Sequence, residues 1–289
     1  MRVSLMVEGQ EGVTWEHWLA LAGACEEAGL EGLYRSDHYL SIVRGGEAGS
    51  LDAWATLAAL AARTERIRLG TLVSPVTFRP AAVLAKSVAT AQEIAGGRVE
   101  LGIGAGWYGA EHEAYGFAFP PVRERMDELD RQLAAIARQW DDDPDVWPKP
   151  RPRPRVIVGG GAKPRTVRAA VRFADEYNTV FATPEECRER RRRVDGAAQE
   201  AGREPLTFSL MTGAVVGRDE AELAERVARF QELRGRPGET PHVTGTIEQA
   251  TIRLREYEDA GVERVMLQHL DHEDVDMVHA LGELARLVA

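Results

Sequence analysis

Cysteine is scarce in this chain, which contains only Cys25 and Cys187. The two lie far apart and form no C-x-x-C or Cys/His pattern, so the sequence predicts neither a disulfide framework nor a zinc site. Aspartate, glutamate and histidine are scattered as well, without a His-x-His pattern, and we expect no metal centre. The amino-terminal segment Met1–Val7 shows no long apolar leader, and the expected location is the reducing cytoplasm.

Positive charge is also in short supply. The chain has 36 Lys and Arg residues against 46 Asp and Glu residues, which gives a formal net charge of -10. This balance disfavours nucleic acid and anionic membranes as partners, because both carry negative charge themselves. Apolar runs of membrane-spanning length are missing too, so the sequence predicts no transmembrane helix.

The most informative pattern runs from Ile67 to Trp107 and indicates a strand, a loop, a helix and a second strand. The first strand is apolar at both parities, which is typical of a parallel strand covered on both faces. The helix begins after Pro80 and ends at Gly96–Gly97. The second strand leads directly into Gly104–Trp107. Such a β-α-β unit leaves space for a ligand at the carboxyl ends of its strands.

The same alternation of strands and helices continues along the whole chain. The predicted strands are Arg2–Val7, Gly32–Arg35, Ile67–Ser74, Val99–Ile103, Val156–Val158, Glu176–Phe181, Thr207–Val216 and Val262–His269. Eight such strands, joined by right-handed helical crossovers, predict an α/β fold, a (β/α)8 TIM barrel that forms a single domain over residues 1–289. The longer segments after the fourth and seventh strands are interpreted as insertions. The proline-rich stretch Asp141–Arg155 is interpreted as an excursion within this domain, because the alternation resumes directly after it.

Active sites of such barrels lie at the carboxyl ends of the strands, so the residues at the strand exits are the ones to search. These exits are Glu8, Asp37 with His38, Ser74, Gly104–Trp107, Gly159–Gly161, Phe181, and Gln268 with His269. We expect the side chains of this set that face the barrel mouth to form the pocket.

One strand exit, Gly159–Gly161 followed by Lys163, Arg165 and Thr166, suits a phosphate group. Glycines let backbone N–H groups approach an anion, and the helix that follows points its positive end at it. Glycine-rich turns between a strand and a helix also occur without a ligand, and that reading stays open beside anion binding.

The segment Gly104–Gly109 has the literal form G-x-G-x-x-G. A dinucleotide fold requires a helix to open at the last glycine, whereas here Gly116 and Pro120–Pro121 follow. We therefore favour close packing of a flat ring against backbone at Gly104–Gly106 over a Rossmann site.

Asp37 and His38 form an adjacent pair at the exit of the second strand. The pair is either a loop or helix-capping feature or an acid–base group, because the pKa of histidine lies near the operating pH of most enzymes. Trp107 at the fourth exit is expected to line the pocket. For His242 and His269 a role in the pocket is a weaker alternative to a structural one.

Together these segments resemble the bacterial luciferase-like superfamily, and within it the oxidoreductases that depend on the deazaflavin coenzyme F420. The resemblance covers essentially the whole chain. It rests on Ser-Asp-His at 36–38, the run from Leu69 to Pro75 with Phe78-Arg79-Pro80, residues 96–107, Glu111-His112 before Ala114-Tyr115-Gly116, Val158–Gly161, and Asp259–Val262.

The resemblance implies that a flavin or deazaflavin lies over the barrel mouth. Its ring is expected to rest on a bulge in the third strand at Leu72, Val73 and Ser74, with a cis peptide bond near Leu72–Val73. Asp37 is expected to contact the polar edge or side chain of the cofactor, and Gly104, Ala105, Gly106 and Trp107 to let it pass. Gly159, Gly160, Gly161 and Thr166 are expected to hold its phosphate. His38 becomes the proton donor or acceptor, and Glu8, Trp107, Gln268 and His269 are expected to face the substrate.

One departure from the family pattern concerns the substrate. Sugar-phosphate dehydrogenases of the family carry a catalytic glutamate directly after the fourth-strand Gly-x-Gly, where this chain has Ala105. The resemblance thus implies hydride transfer between F420 and a small organic substrate outside that class. The alternatives are an FMN-dependent luciferase-like monooxygenase and a flavin-binding protein without activity.

The sequence also predicts how the chain associates. The segment Leu51–Arg63 is apolar almost all round, so we expect it to be buried on more than one side. Together with the helix at 81–95 and the family resemblance, this predicts a homodimer.

Overall fold

The computed structural model describes residues 1–43, 45 and 48–289. Its strands are β1 (Arg2–Val7), β2 (Gly32–Arg35), β3 (Arg68–Thr71), β4 (Ser74–Pro75), β5 (Val99–Gly104), β6 (Arg155–Gly159), β7 (Glu176–Val180), β8 (Thr207–Gly217), β9 (Val243–Thr246) and β10 (Arg264–His269). Its helices are α1 (Trp15–Ala28), α2 (Ala53–Ala61), α3 (Ala81–Ile94), α4 (Gly109–Tyr115), α5 (Val122–Asp141), α6 (Pro164–Phe173), α7 (Pro184–Glu200), α8 (Glu220–Arg234), α9 (Ile247–Asp259) and α10 (Val275–Val288).

The sheet closes on itself. Neighbouring strands pair in parallel in the order β1, β2, β3, β5, β6, β7, β8 and β10, and β10 pairs with both β8 and β1. In this register Leu5 lies opposite Leu33 on one side and Leu267 on the other. The predicted (β/α)8 barrel is therefore confirmed.

Two short strands refine the prediction. The third strand is interrupted after Thr71, and its continuation β4 pairs with the end of β5. β9 is not among the predicted strands, and it pairs with Ala214–Gly217 at the end of β8.

The predicted insertions are seen after β5 and β8. The chain between β5 and β6 contains both α4 and α5, and the chain between β8 and β10 contains α8, β9 and α9. Among the described residues, no helix has the length and apolar character needed to cross a lipid bilayer.

Local capping signals fix where the helices begin and end. The Thr14 side chain accepts a hydrogen bond from the His17 backbone N–H, and α1 ends at Gly29, which has a φ of 79°. Left-handed backbone of this kind favours glycine. α2 buries Trp54, Leu57 and Leu60. The same helix leaves Ala55 and Ala59 exposed, so the expectation that it is buried on more than one side does not hold within one copy of the chain.

The interior of the barrel is layered along its axis. A middle layer of Met6, Tyr34, Ile157, Met211 and Met266 is buried between the strands. Charged side chains fill the amino-terminal end below this layer, and the carboxyl-terminal end above it opens into a cavity. The middle layer therefore separates the charged side chains at the amino-terminal end from the cavity at the carboxyl-terminal end.

Candidate functional site

A cavity of about 540 Å³ lies at the carboxyl ends of the barrel strands. Eleven of the residues expected in the site line it: Glu8, His38, Leu72, Val73, Gly104, Ala105, Gly106, Trp107, Gly159, Gly160 and Thr166. Met126 and Leu129 of α5 add an apolar wall. The fold thus brings together exits of strands that are far apart in the sequence.

His38 is a titratable group of this cavity, and a hydrogen bond fixes the orientation of its ring. Its Nδ1 donates a hydrogen bond to Glu111 Oε1 at 2.8 Å. The second oxygen of Glu111 accepts from the Tyr39 backbone N–H at 3.1 Å. Because a carboxylate only accepts, the proton of this contact belongs to Nδ1, and Nε2 is left for a ligand.

The charge state of His38 follows from the same contacts. Burial by itself lowers the pKa of a histidine, but the hydrogen bond to Glu111 and the negative charges of Glu111, Glu8 and Asp37 outweigh it and raise the pKa of His38. Glu111 is buried, with 1% of its surface exposed. His38 is therefore suited to hold a proton at a pH where an isolated histidine releases it.

Asp37 does not face the cavity, although both of its neighbours, Ser36 and His38, do. Its Oδ2 accepts from Arg79 Nη1 at 2.6 Å and from Ser74 Oγ at 2.6 Å. Trp54 Nε1 donates to Ser74 Oγ at 3.0 Å. Asp37 and Ser74 thus belong to a buried network behind the cavity wall, and neither side chain lines the cavity expected to hold the cofactor.

The wall above this network is the bulge between β3 and β4. The Leu72–Val73 peptide bond is cis, as the resemblance implies. A Cβ atom on Gly104 would come within 2.8 Å of Val73 Cγ2, so a side chain at this position needs the valine to move. Glycine at 104 therefore keeps β5 close to the bulge and leaves the cavity open.

The glycine turn after β6 is divided between cavity and solvent. Gly160 has a φ of 147°, a value that side-chain-bearing residues rarely adopt, and it lines the cavity with Gly159 and Thr166. Gly161 is exposed and lies outside the lining. Arg165 pairs with Asp127 at 2.6 Å, so its charge is engaged by α5. The Gly160 N–H donates to the Asn178 carbonyl oxygen at 2.9 Å and the Ala162 N–H to the Tyr177 hydroxyl at 2.8 Å, so the donor that this turn offers to an anion in the cavity is the Thr166 hydroxyl.

Comparison with known proteins identifies the family. The family model described as "Luciferase-like monooxygenase" matches residues 2–287. The chain belongs to the luciferase-like monooxygenase family.

Sequence similarity to individual members of the family covers only part of the chain. An F420-dependent glucose-6-phosphate dehydrogenase of Amycolatopsis mediterranei is 38% identical over 120 residues, which cover 41% of this chain and 35% of the relative. One of the same name from Kineococcus radiotolerans is 34% identical over 53% of this chain and 48% of the relative. The matches therefore span half or less of the length of these relatives.

Solved structures match over the whole fold. An F420-dependent secondary alcohol dehydrogenase in complex with an F420–acetone adduct is 19% identical, with a TM-score of 0.83 over 100% of this chain and 99% of that one. The monooxygenase RslO1 from Streptomyces bottropensis is 22% identical, with a TM-score of 0.75 over 99% of this chain and 97% of that one. At these identities the likeness shows the shared luciferase-like barrel.

In this luciferase-like barrel, Gln268 and His269 turn to opposite sides. Gln268 lines a second cavity of about 280 Å³ that adjoins the first and shares Glu8, Trp107 and Phe181 with it. The Gln268 side chain donates to Glu8 Oε1, and Gln10 Nε2 donates to Glu8 Oε2 at 2.9 Å. His242 lines the same second cavity.

His269, which was expected to face the substrate, lines neither of these two cavities. Its side chain is buried outside the barrel mouth, where Nε2 donates to the Asp274 carbonyl oxygen at 2.9 Å. Burial lowers the pKa of His269. Because side chains alternate along a strand, only one of two adjacent residues of β10 faces the interior.

The main residue missed by the sequence analysis is Glu111. It lies on α4, 73 positions after its partner His38. The sequence shows it only as part of a family-like segment, since nothing local to a short helix reveals which strand exit it will meet. This carboxylate fixes the orientation of the His38 ring at the cavity wall.

Proposed function

We propose that the chain is an F420-dependent oxidoreductase that transfers a hydride between the deazaflavin and a small organic substrate. The observation that carries the proposal is the cavity itself. On one wall the buried Glu111 orients His38, and on the others glycines leave the backbone open to a ligand. The partial relatives named as F420-dependent dehydrogenases support the same choice of cofactor.

The lining residues fit a flat ring with an anionic tail. A Cβ at Gly104 would come too close to Val73, so glycine leaves this space open. Gly160 has a positive φ that residues with a side chain rarely adopt. Leu72, Val73, Met126 and Leu129 offer an apolar surface to a ring system. The Thr166 hydroxyl would donate to the tail phosphate, and Gly159 and Gly160 would let the backbone approach it closely. A bound deazaflavin supplies the hydride.

The protein supplies the proton and the exclusion of water. Glu111 fixes the His38 ring through Nδ1, and Nε2 gives or takes the proton that accompanies hydride transfer. Arg79, through Asp37 and Ser74, holds the bulge that forms one wall of the cavity. Trp107 and Phe181 line both cavities and are exposed.

The substrate proposed for the second cavity carries an activated double bond, an imine or an alcohol. Ala105 lies at the position where the sugar-phosphate dehydrogenases of the family carry their glutamate, and alanine has no proton to exchange. The polar wall of this cavity is instead the Glu8 carboxylate held by Gln10 and Gln268. We therefore propose a substrate outside the sugar phosphates.

Titration of the purified protein with oxidised and reduced F420 and FMN, followed by fluorescence, tests the proposal. We expect tight binding of F420 and weak binding of FMN. Gly104→Ala and Thr166→Val are expected to weaken F420 binding. Gly196→Ala is the matched control, because a Cβ at Gly196 on α7 meets nothing within 4 Å. Tight FMN binding with weak F420 binding would replace the proposal by the FMN-dependent monooxygenase.

We further propose that two copies associate through α2 and α3. Val83 and Ile94 on α3 are large apolar side chains with 52% and 45% of their surface exposed. Ala55 and Ala58 of α2 and Ala82 of α3 line a shallow groove between the two helices. A Val83→Glu variant is expected to run as a monomer in sedimentation analysis while the parent runs as a dimer, and a monomeric parent would contradict the proposal.

A further inference from the structure

A group of metal-ligating side chains lies where the first and last β/α units of the barrel meet. His17 is in the first turn of α1, and His272 and Glu273 are in the turn between β10 and α10. One ligand atom from each of the three lies within 4.8 Å of the other two. The two imidazole rings have their centroids 4.7 Å apart. Sequence spacing predicts no such site, because its ligands come from opposite ends of the chain.

The turn that carries His272 and Glu273 is held in place by its flanking aspartates. The Asp274 backbone N–H donates to the Asp271 carbonyl at 2.9 Å, and the Asp274 side chain caps α10 by accepting from Met277 N at 3.0 Å. Both aspartates also pair with α8, Asp274 with Arg226 at 2.6 Å and Asp271 with Arg229 at 3.2 Å. A turn fixed at both ends presents its ligands at little entropic cost.

His17 is fixed on the other side of the group. It is the third residue of α1, and its backbone N–H donates to Thr14 Oγ1 at 3.3 Å in a capping box. The His17 Nδ1 accepts from the Thr14 backbone N–H at 3.4 Å. This contact is long, and Thr14 is exposed, so water can take its place when the ring binds a metal.

The donor set and its burial indicate which ion fits. Two imidazoles and one carboxylate are a ligand set that Zn²⁺ prefers, with a fourth position available for water. His272 is buried, His17 is half-buried and Glu273 is exposed, so the group is open to solvent on one side. That opening provides an entry path for the ion.

We propose that His17, His272 and Glu273 form a binding site for one Zn²⁺ ion. The ion would join α1 to the turn before α10 and so link the first and last β/α units of the closed barrel. Because the unfolded chain holds these ligands far apart, the ion binds the folded state preferentially and stabilises it by mass action.

The test uses protein stripped with EDTA and titrated with Zn²⁺ alone in a calorimeter. We expect about one ion per chain and a rise in Tm on adding Zn²⁺. His17→Ala is expected to weaken Zn²⁺ binding by about a hundredfold and to abolish the rise in Tm, because one of three protein ligands is lost. His17 is half-buried, so this variant leaves the core packing intact.

Two further variants separate this site from other surface ligands. Glu273 is exposed, and Glu273→Gln is expected to weaken Zn²⁺ binding, as His17→Ala does. His279→Ala removes a histidine of α10 that is outside the group, and it is expected to bind Zn²⁺ as the parent does. Absence of stoichiometric binding, or equal binding by the parent and His17→Ala, would overturn the proposal.

Discussion

The two ends of the barrel both contain perturbed ionisable side chains, in different surroundings. At the carboxyl-terminal end, His38 pairs with Glu111 and lines an open cavity. At the amino-terminal end, Arg264 Nη1 donates to Glu100 at 2.7 Å and to Glu176 at 2.9 Å. These last three side chains are exposed by 1% or less. The comparison shows that perturbed groups occur at both ends of the barrel, and that His38 lines a cavity whereas the Arg264 cluster is buried.

The pKa values at the amino-terminal end make the same point. Burial raises the pKa of Glu100 to about 7 and that of Glu176 to about 8, each against the pull of neighbouring arginines. Shifts of this size are a common sign of catalytic groups. Here they are the cost of placing two carboxylates inside the barrel, so the cluster is expected to matter for stability and not for chemistry.

The largest expected effect is therefore on folding, from Arg264→Met. Removing the arginine takes away the buried partner that Glu100 and Glu176 share and leaves them the partly exposed Arg155, at 3.9 and 3.6 Å. Breaking a buried ion pair on one side costs about 3–5 kcal/mol. The loss should be greater at pH 8 than at pH 6, because both carboxyls accept protons at the lower pH. Denaturant unfolding at the two pH values measures it.

The control for this variant is Arg218→Met on the surface. Arg218 pairs with Asp276 and Glu283 in solvent, where such contacts contribute about 1 kcal/mol or less. An equal loss of unfolding free energy in Arg264→Met and Arg218→Met would contradict the structural importance given to the buried cluster at the amino-terminal end. F420 affinity of the folded Arg264→Met protein should match that of the parent.

The next largest effect is expected at the carboxyl-terminal end, from His38→Ala. Turnover with F420 and a panel of alcohols, imines and activated alkenes should fall by about a hundredfold or more, because general acid–base catalysis contributes that much. F420 binding and unfolding free energy should stay near those of the parent. Turnover equal to that of the parent would remove His38 from the mechanism, and His279→Ala serves as the control.

A smaller effect is expected from Glu111→Gln. The neutral amide removes the charge that raises the pKa of His38, so that pKa should fall, as measured by NMR titration of the His38 ring. The two oxygens of Glu111 accept separately from His38 Nδ1 and from the Tyr39 backbone N–H, and glutamine keeps only one of these oxygens. We expect turnover to drop by about tenfold, the equivalent of one charge-assisted hydrogen bond. An unchanged His38 titration would contradict the role given to Glu111.

The sequence predicts the barrel well because its signals are local. Alternating strands and helices, glycine turns and caps such as Thr14 and Gly29 each depend on a few neighbouring residues. The same locality explains the cavity-lining segments at Gly104–Gly106 and Gly159–Gly160, which are continuous in the chain.

The sequence is less informative where the side on which a residue lies, or a distant partner, decides its surroundings. Asp37 and His269 are next to cavity-lining residues but point away from the cavity, because adjacent positions of an extended chain face opposite sides. Glu111 and Arg264 act through partners on other elements, and no local pattern names those partners. For the same reason the His17–His272 pair is visible only in the folded chain.

A change in how stability depends on pH is expected from Glu176→Gln. The folded pKa of Glu176 lies above the usual value for glutamate, so between about pH 5 and 8 the folded state binds more protons than the unfolded one. The contribution of this residue to the unfolding free energy therefore decreases as pH rises through that window. Glutamine cannot titrate, so the difference in unfolding free energy between variant and parent should shift in favour of the variant from pH 5 to pH 8. A constant difference across the window would show that Glu176 is already ionised throughout, and the contrast between the two ends would then rest on access alone.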